Sequence, residues 1–224
     1  MEKKTQDLVI TTNTLKGISR FRNQDDILIL NNDFFYLVIL FDGVSSLENS
    51  IDYVQICKKY IKRNYLKYLM NDPKLNDLMY DMHLYSLKSK IKGKSTCSAL
   101  LIYPKHNISY VLNIGDSRIY AFSNHFLEPL TKDDTLIGNS NILIKCLGNE
   151  GLKYDDFVQK TVETSNNFLL CSDGFYSLME ANIKRYFSIL HFKRRNSIIN
   201  AIDKIQRGFN NDDSTYIIIK QNGL

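Results

Sequence analysis

The sequence predicts an α+β fold, with strands and helices gathered into separate layers. Three observations lead there. Short apolar runs fill the first third of the chain and return after its middle, a block with helical periodicity lies between them, and no regular strand–helix alternation runs through the whole.

Taken in order, strands are expected at 7–13, 27–31 and 34–41, each a short apolar run bounded by Asp, Asn or Gly. Val54, Cys57, Ile61, Tyr65 and Tyr68 then recur at steps of three and four, as do Leu75, Leu78, Met82 and Tyr85. These predict two helices hinged at Asn71-Asp72-Pro73, since the residue before a proline is turned away from helical backbone. Strands resume at 96–103, 108–114 and 118–123, with others at 167–172 and 215–220. Ile198, Ile202, Ile205 and Phe209 mark a helix before the last strand.

A length of 224 residues fits one domain or at most two small ones, and no linker, repeat or low-complexity segment divides it. Residues 1–224 are accordingly read as one domain. The formal charge of +5 permits an anionic substrate without demanding nucleic acid. Lys193-Arg194-Arg195 reads as a solvated loop or helix start. Cys57, Cys97, Cys146 and Cys171 lie in apolar sequence without CxxC spacing, which predicts reduced core thiols. The first residues show no apolar run of the length a secretory h-region has, and the longest apolar stretch is strand-sized. A cytoplasmic protein with no membrane or nucleic-acid partner is expected.

The chemistry lies in acidic residues where apolar runs stop or start. Asp42-Gly43 ends the run 34–41, Gly115-Asp116-Ser117-Arg118 ends 110–114, and Ser172-Asp173-Gly174 ends 168–171. In mirror arrangement, Asp25-Asp26 and Asp212-Asp213 precede such runs. Asp-Gly after a strand is by itself an ordinary turn. Several carboxylates meeting at one sheet edge are different. Two of them about 4 Å apart repel by roughly 4 kcal/mol at an effective dielectric near 20, so a cluster calls for cations, and oxygen ligands suit Mg²⁺ or Mn²⁺.

The ordered motifs resemble the metal-dependent protein phosphatases of type 2C, also called PPM phosphatases. Gly17 to Asp25 is similar to that family's GxxRxxNED, and Asp42-Gly43-Val44-Ser45-Ser46 to its DGxGG. Lys94-Ser95-Thr96-Cys97 stands where a GTT-like strand start is usual, and Gly115-Asp116-Ser117-Arg118 is GDSR unchanged. Leu130 to Thr135 resembles LTxDHS, Leu143 to Gly148 resembles ITRALG, Ser172-Asp173-Gly174 matches SDG, and Asp212 to Thr215 matches DNxT. The resemblance covers nearly the whole chain.

It implies two packed antiparallel sheets flanked by helices, a four-layer αββα sandwich, with a two-metal centre at one end. It carries catalytic or metal roles onto Asp42, Asp173 and Asp212, with the Gly43 carbonyl completing the second site and Asp25 acting through water. Asp116 and Asp173 would hold a weaker third ion, and Arg20 would bind the substrate phosphate through its guanidinium fork. The implied activity is hydrolysis of phosphoserine and phosphothreonine in proteins by a hydroxide bridging two Mg²⁺ or Mn²⁺ ions. Phosphoproteins, and a serine/threonine kinase or its targets, are the implied partners. The alternative is a pseudophosphatase that keeps the fold as a binding module.

Four departures bear on that choice. Gln24 replaces a glutamate. Ser45 and Ser46 replace glycines, and Ser45 with Glu48 reads as a capping box at a helix start. Ser177 stands where another aspartate is frequent, and only Ile137 to Ile142 separates two motifs, so the family's flap is expected to be very short. His83, His106, His125 and His191 fall in no motif and read as surface or packing residues. Gly93-Lys94-Ser95 is no P-loop, because Lys88 occupies the place of the required glycine. Val44 in place of the second Asp disfavours an aspartyl nucleophile of the DxD type.

Overall fold

The computed structural model describes residues 8–163 and 166–221, so residue 7 of the first expected strand lies outside it. In chain order β1 (Leu8–Leu15), β2 (Asp26–Asn31) and β3 (Tyr36–Phe41) lead to α1 (Ser50–Leu69) and α2 (Leu75–Leu87). β4 (Cys97–Tyr103), β5 (Ile108–Ile114), β6 (Arg118–Phe122) and β7 (Leu127–Pro129) follow. A small hairpin of β8 (Thr135–Leu136) and β9 (Asn139–Leu143) precedes β10 (Lys160–Glu163) and β11 (Asn167–Cys171). Then come α3 (Asp173–Ala181), α4 (Ile183–Leu190), α5 (Arg195–Gln206) and β12 (Ser214–Gln221).

The strands form two antiparallel sheets, ordered β1-β12-β11-β6-β7 and β10-β5-β4-β3-β2. Strand alternation builds the layers. Val38, Leu40, Leu100 and Ile102 of the second sheet face Ile119, Phe168, Leu170 and Ile217 of the first in a buried apolar interior. Leu37, Ile39 and Phe41 point the other way, onto Val54, Cys57 and Ile61 of α1 and Leu78 and Met82 of α2. Leu169, Cys171, Tyr216 and Ile218 likewise pack outward against Phe175 and Met179 of α3, Ile189 of α4 and Ile202 of α5. The order is helix, sheet, sheet, helix. Burial on both faces is why the central strands read as continuous apolar runs rather than alternating ones.

Pairing register aligns the strand ends that matter. Leu15 pairs with Ser214, Cys171 with Arg118 and Tyr216, Asp26 with Phe41, and Cys97 with Ile114. The segments bearing Arg20, Asp25, Asp42, Asp116, Asp173 and Asp212 therefore all leave the sandwich at one end.

Two expectations are corrected. The Ser45–Glu48 capping box does not start a helix: α1 begins at Ser50, and its N-cap Asn49 makes no side-chain capping bond. Gly43 is bridged to Ser95, and Val44 N donates to Lys94 O at 2.9 Å, so the chain stays extended past Asp42 and turns before it coils. Ser50 Oγ then ties that turn down by donating to Val44 O at 2.8 Å. At the other end of the chain, Phe209 lies beyond α5 and is 70% exposed, because Gly208 turns out of the helix at φ +88°.

Candidate metal centre

Each acidic side chain is held by the local sequence around it. Asp42 follows β3, and its main chain is gripped by the Ser95-Thr96 start of β4: Thr96 N donates to Asp42 O at 2.8 Å, and Asp42 N donates to Thr96 Oγ1 at 3.2 Å. Thr96 Oγ1 also meets Ser117 Oγ at 2.8 Å, joining the Asp42 and Asp116 segments through one buried hydroxyl pair. Asp173 opens α3. Gly174 beside it has no room for a side chain, since a Cβ would sit 2.1 Å from Asp213 O. Asp212 leads into β12, and Arg20 reaches across from the loop between β1 and β2.

These segments enclose a cavity of about 590 Å³ lined by Arg20, Asp42, Gly43, Asp116, Asp173 and Asp212. No histidine lines it. Burial raises the Asp42 carboxyl well above its ordinary range, and the charges of Asp25, Asp173, Asp116 and Asp212 push it further. Asp116 is pushed up to about 7 by burial and by Asp173. Burial and the charge of Asp212 raise Asp173 as well.

Asp25 does not line the cavity. It is 6% exposed, and burial pushes it up to about 7 although the nearby Thr215 and Ser172 hydroxyls favour its charge. Those hydroxyls are engaged with Thr14 and with Asp213 O and Thr215 N, and neither Asp25 oxygen has a hydrogen-bond partner among the described residues.

Arg20 is turned onto Asp212. Its Nε donates to Asp212 Oδ1 at 2.6 Å, and a second guanidinium nitrogen donates to Asp212 Oδ2. Both oxygens of that carboxylate thus face a cation supplied by the chain itself. Among the described residues, no three Asp, Glu, His or Cys side chains already stand in one coordination shell. The donor chemistry nevertheless fits hard divalent cations: oxygen ligands alone, four carboxylates around one cavity, and Asp25 buried with both oxygens unpaired.

The departures have local explanations. Ser177 lines the cavity but donates its hydroxyl back to Asp173 O at 2.8 Å. Ser45 lines it too, and its carbonyl accepts a long 3.5 Å bond from Gln24 Nε2, while Gln24 Oε1 is buried without a partner among the described residues. Sequence reasoning missed Asp213. Its oxygens accept from Gly17 N and Gln24 N, both at 2.8 Å, and so fasten the Arg20 loop to the start of β12. The Asp212-Asp213 pair is visible in the sequence, which suggests a role for Asp212 but none for Asp213.

No protein-family model matches the chain. The serine/threonine phosphatase stp of Listeria monocytogenes serotype 4b is 36% identical over 124 residues, covering 47% of this chain and 48% of that protein. The stp of Listeria welshimeri is 31% identical over 107 residues, covering 40% and 42%. The chain thus spans less than half the length of the curated relatives it matches. Solved structures match over far more of it. The phosphatase PstP/Ppp of Mycobacterium tuberculosis superposes with a TM-score of 0.71 at 18% identity, covering 95% of this chain and 98% of that one. Stp1 of Staphylococcus aureus gives 0.75 at 17%, covering 95% and 94%. A PstP catalytic domain in complex with two manganese ions gives 0.72 at 18%, covering 96% and 98%. The chain therefore shares the fold of these serine/threonine phosphatases over nearly its whole length and resembles the stp phosphatases in sequence over less than half of it.

Proposed function

We propose that the chain is a Mg²⁺- or Mn²⁺-dependent phosphatase acting on phosphoserine and phosphothreonine in proteins. The observation that carries this reading is the single cavity where Arg20, Asp42, Gly43, Asp116, Asp173 and Asp212 meet, with Asp42 raised by burial and then by four neighbouring carboxylates. Asp42, Asp173, Asp212 and the Gly43 carbonyl would hold two ions, with Asp25 acting through water. Asp116 and Asp173 would hold a weaker third. When bound, such ions neutralise phosphate charge and make water nucleophilic near neutral pH.

The chain's own residues do the rest. Arg20 lies in the cavity wall with a fork that matches two phosphate oxygens. Asp213 keeps its loop in place through Gly17 and Gln24. Val44 offers no acid beside the Asp42-Gly43 pair, so the departing serine or threonine oxygen takes its proton from water. The β8–β9 hairpin stands where a flap would, and residues 1–224 act as one such domain. The substrates are cytoplasmic phosphoproteins, and a serine/threonine kinase acting on the same proteins is the implied counterpart. Retention of the three direct metal carboxylates, Asp42, Asp173 and Asp212, favours an enzyme over a binding module. Phosphate release from a phosphothreonine peptide tests the proposal: turnover with Mn²⁺ and none in excess chelator is expected, and no turnover at any Mn²⁺ concentration overturns it.

A further inference from the structure

We infer that Asp134 is a positioning residue that aims Asp116 at the cavity, an inference that rests on the proposed metal-dependent hydrolysis. Asp116 follows Gly115, whose φ of +105° only glycine adopts readily. One side of Gly115 is closed by Thr96, because a Cβ there would lie 2.7 Å from Thr96 Cγ2. The other side is closed by Asp134 at two points. Gly115 N donates to Asp134 Oδ2 at 3.0 Å, and Asp134 N donates back to Gly115 O at 3.0 Å. Asn113 Nδ2 adds a third contact to Gly115 O at 3.1 Å. The peptide before Asp116 is therefore fixed on both faces.

Asp134 is itself anchored from the far side. Ile144 N donates to Asp134 O at 2.8 Å, and Lys145 Nζ stands 3.9 Å from Asp134 Oδ1 and 2.8 Å from Asp156 Oδ1. Asp134 thus ties the Asp116 turn to the end of the β8–β9 hairpin. It does not line the cavity itself. Groups that orient a ligand from behind commonly govern metal affinity almost as strongly as the ligand does.

A double-mutant cycle on the full chain tests this, read by direct Mn²⁺ binding (loss of the free-ion electron paramagnetic resonance signal) beside phosphopeptide turnover. D134A is expected to weaken the loosest class of bound Mn²⁺ by about 10-fold. D134N is expected to weaken it by much less, because its amide oxygen still accepts from Gly115 N. Combined with D116A, D134A should add nothing beyond D116A alone. If D134A fails to fold, K145M replaces it. Removing that partly exposed ion pair should weaken the same class by about 3-fold, again with no effect in the D116A background. Unchanged Mn²⁺ binding in D134A, or effects of D134A and D116A that multiply, overturns the assignment. A wild type that shows this binding pattern without turnover supports the positioning role and removes the proposed activity instead.

Discussion

Arg20 pairs with Asp212, and phosphate binding is the second role proposed for it. Its fork sits on Asp212 and lines the same cavity. Charge-assisted hydrogen bonds contribute roughly 1.5–3 kcal/mol, so Arg20→Ala should lower kcat/KM by about 10- to 100-fold through lost phosphate binding. Arg20→Lys should recover only part of it, because a point charge cannot reproduce the fork. Since Asp212 also loses a competing cation, Mn²⁺ should bind Arg20→Ala no more weakly than wild type. Steady-state kinetics with titration calorimetry check both halves, and unchanged kcat/KM excludes Arg20 from phosphate binding. Ser177 offers a second test at this scale. Its hydroxyl is turned to Asp173 O, so it brings no charge to the cavity. Ser177→Asp should lower the Mn²⁺ concentration for half-maximal turnover, and an unmoved Mn²⁺ dependence contradicts that reading.

Among the elements, α2 carries a pH expectation of its own. His83 is fully buried against Phe157, and neither ring nitrogen has a hydrogen-bond partner among the described residues. Burial lowers its pKa from 6.5, so the unfolded chain takes up a proton more readily than the folded one. The stability contributed by neutral His83 is present above pH 6.5 and lost as pH falls toward the lowered folded value. With Mn²⁺ saturating, Tm should drop between pH 7 and pH 5, and His83→Met should flatten that drop. An identical pH profile in the variant contradicts it.

The same scale shows what was legible in the sequence. The core strands and α1, α2 and α5 were readable because burial on two faces makes continuous apolar runs, and burial on one face makes three-and-four spacing. The strands β7, β8 and β10 have two to four residues, too few to show any period. α3 begins at Asp173 itself, so a motif read as a turn hid a helix start. The site's carboxylates stood out because each borders a strand. Asp134 and Asp213 act on backbone N–H groups distant in sequence, which no spacing reveals.

At the scale of the whole molecule, one end of a well-packed sandwich gathers carboxylates that repel one another. Burial first, and then neighbouring carboxylates, raise Asp25 and Asp116 to about 7, above the ordinary value of 3.8. Groups raised on folding contribute stability that is present at low pH and lost as pH rises through the folded value. In chelator, Tm should therefore climb as pH falls from 8 toward 6.5, and Asp42→Asn should weaken that dependence by removing one charge from the cluster. A flat profile in chelator contradicts the raised carboxyls, whether burial or mutual repulsion raises them. Divalent cations should remove the dependence by binding only the assembled site.

The most direct test follows phosphate release from a phosphothreonine peptide and Tm together while Mn²⁺ is titrated into wild type, Asp42→Asn, Asp173→Asn and Asp212→Asn. The account predicts that turnover and Tm rise together in wild type, and that each variant stays folded, loses nearly all turnover and shows a smaller Mn²⁺-induced rise in Tm. Full wild-type turnover in excess chelator, or a variant that keeps wild-type turnover, contradicts it.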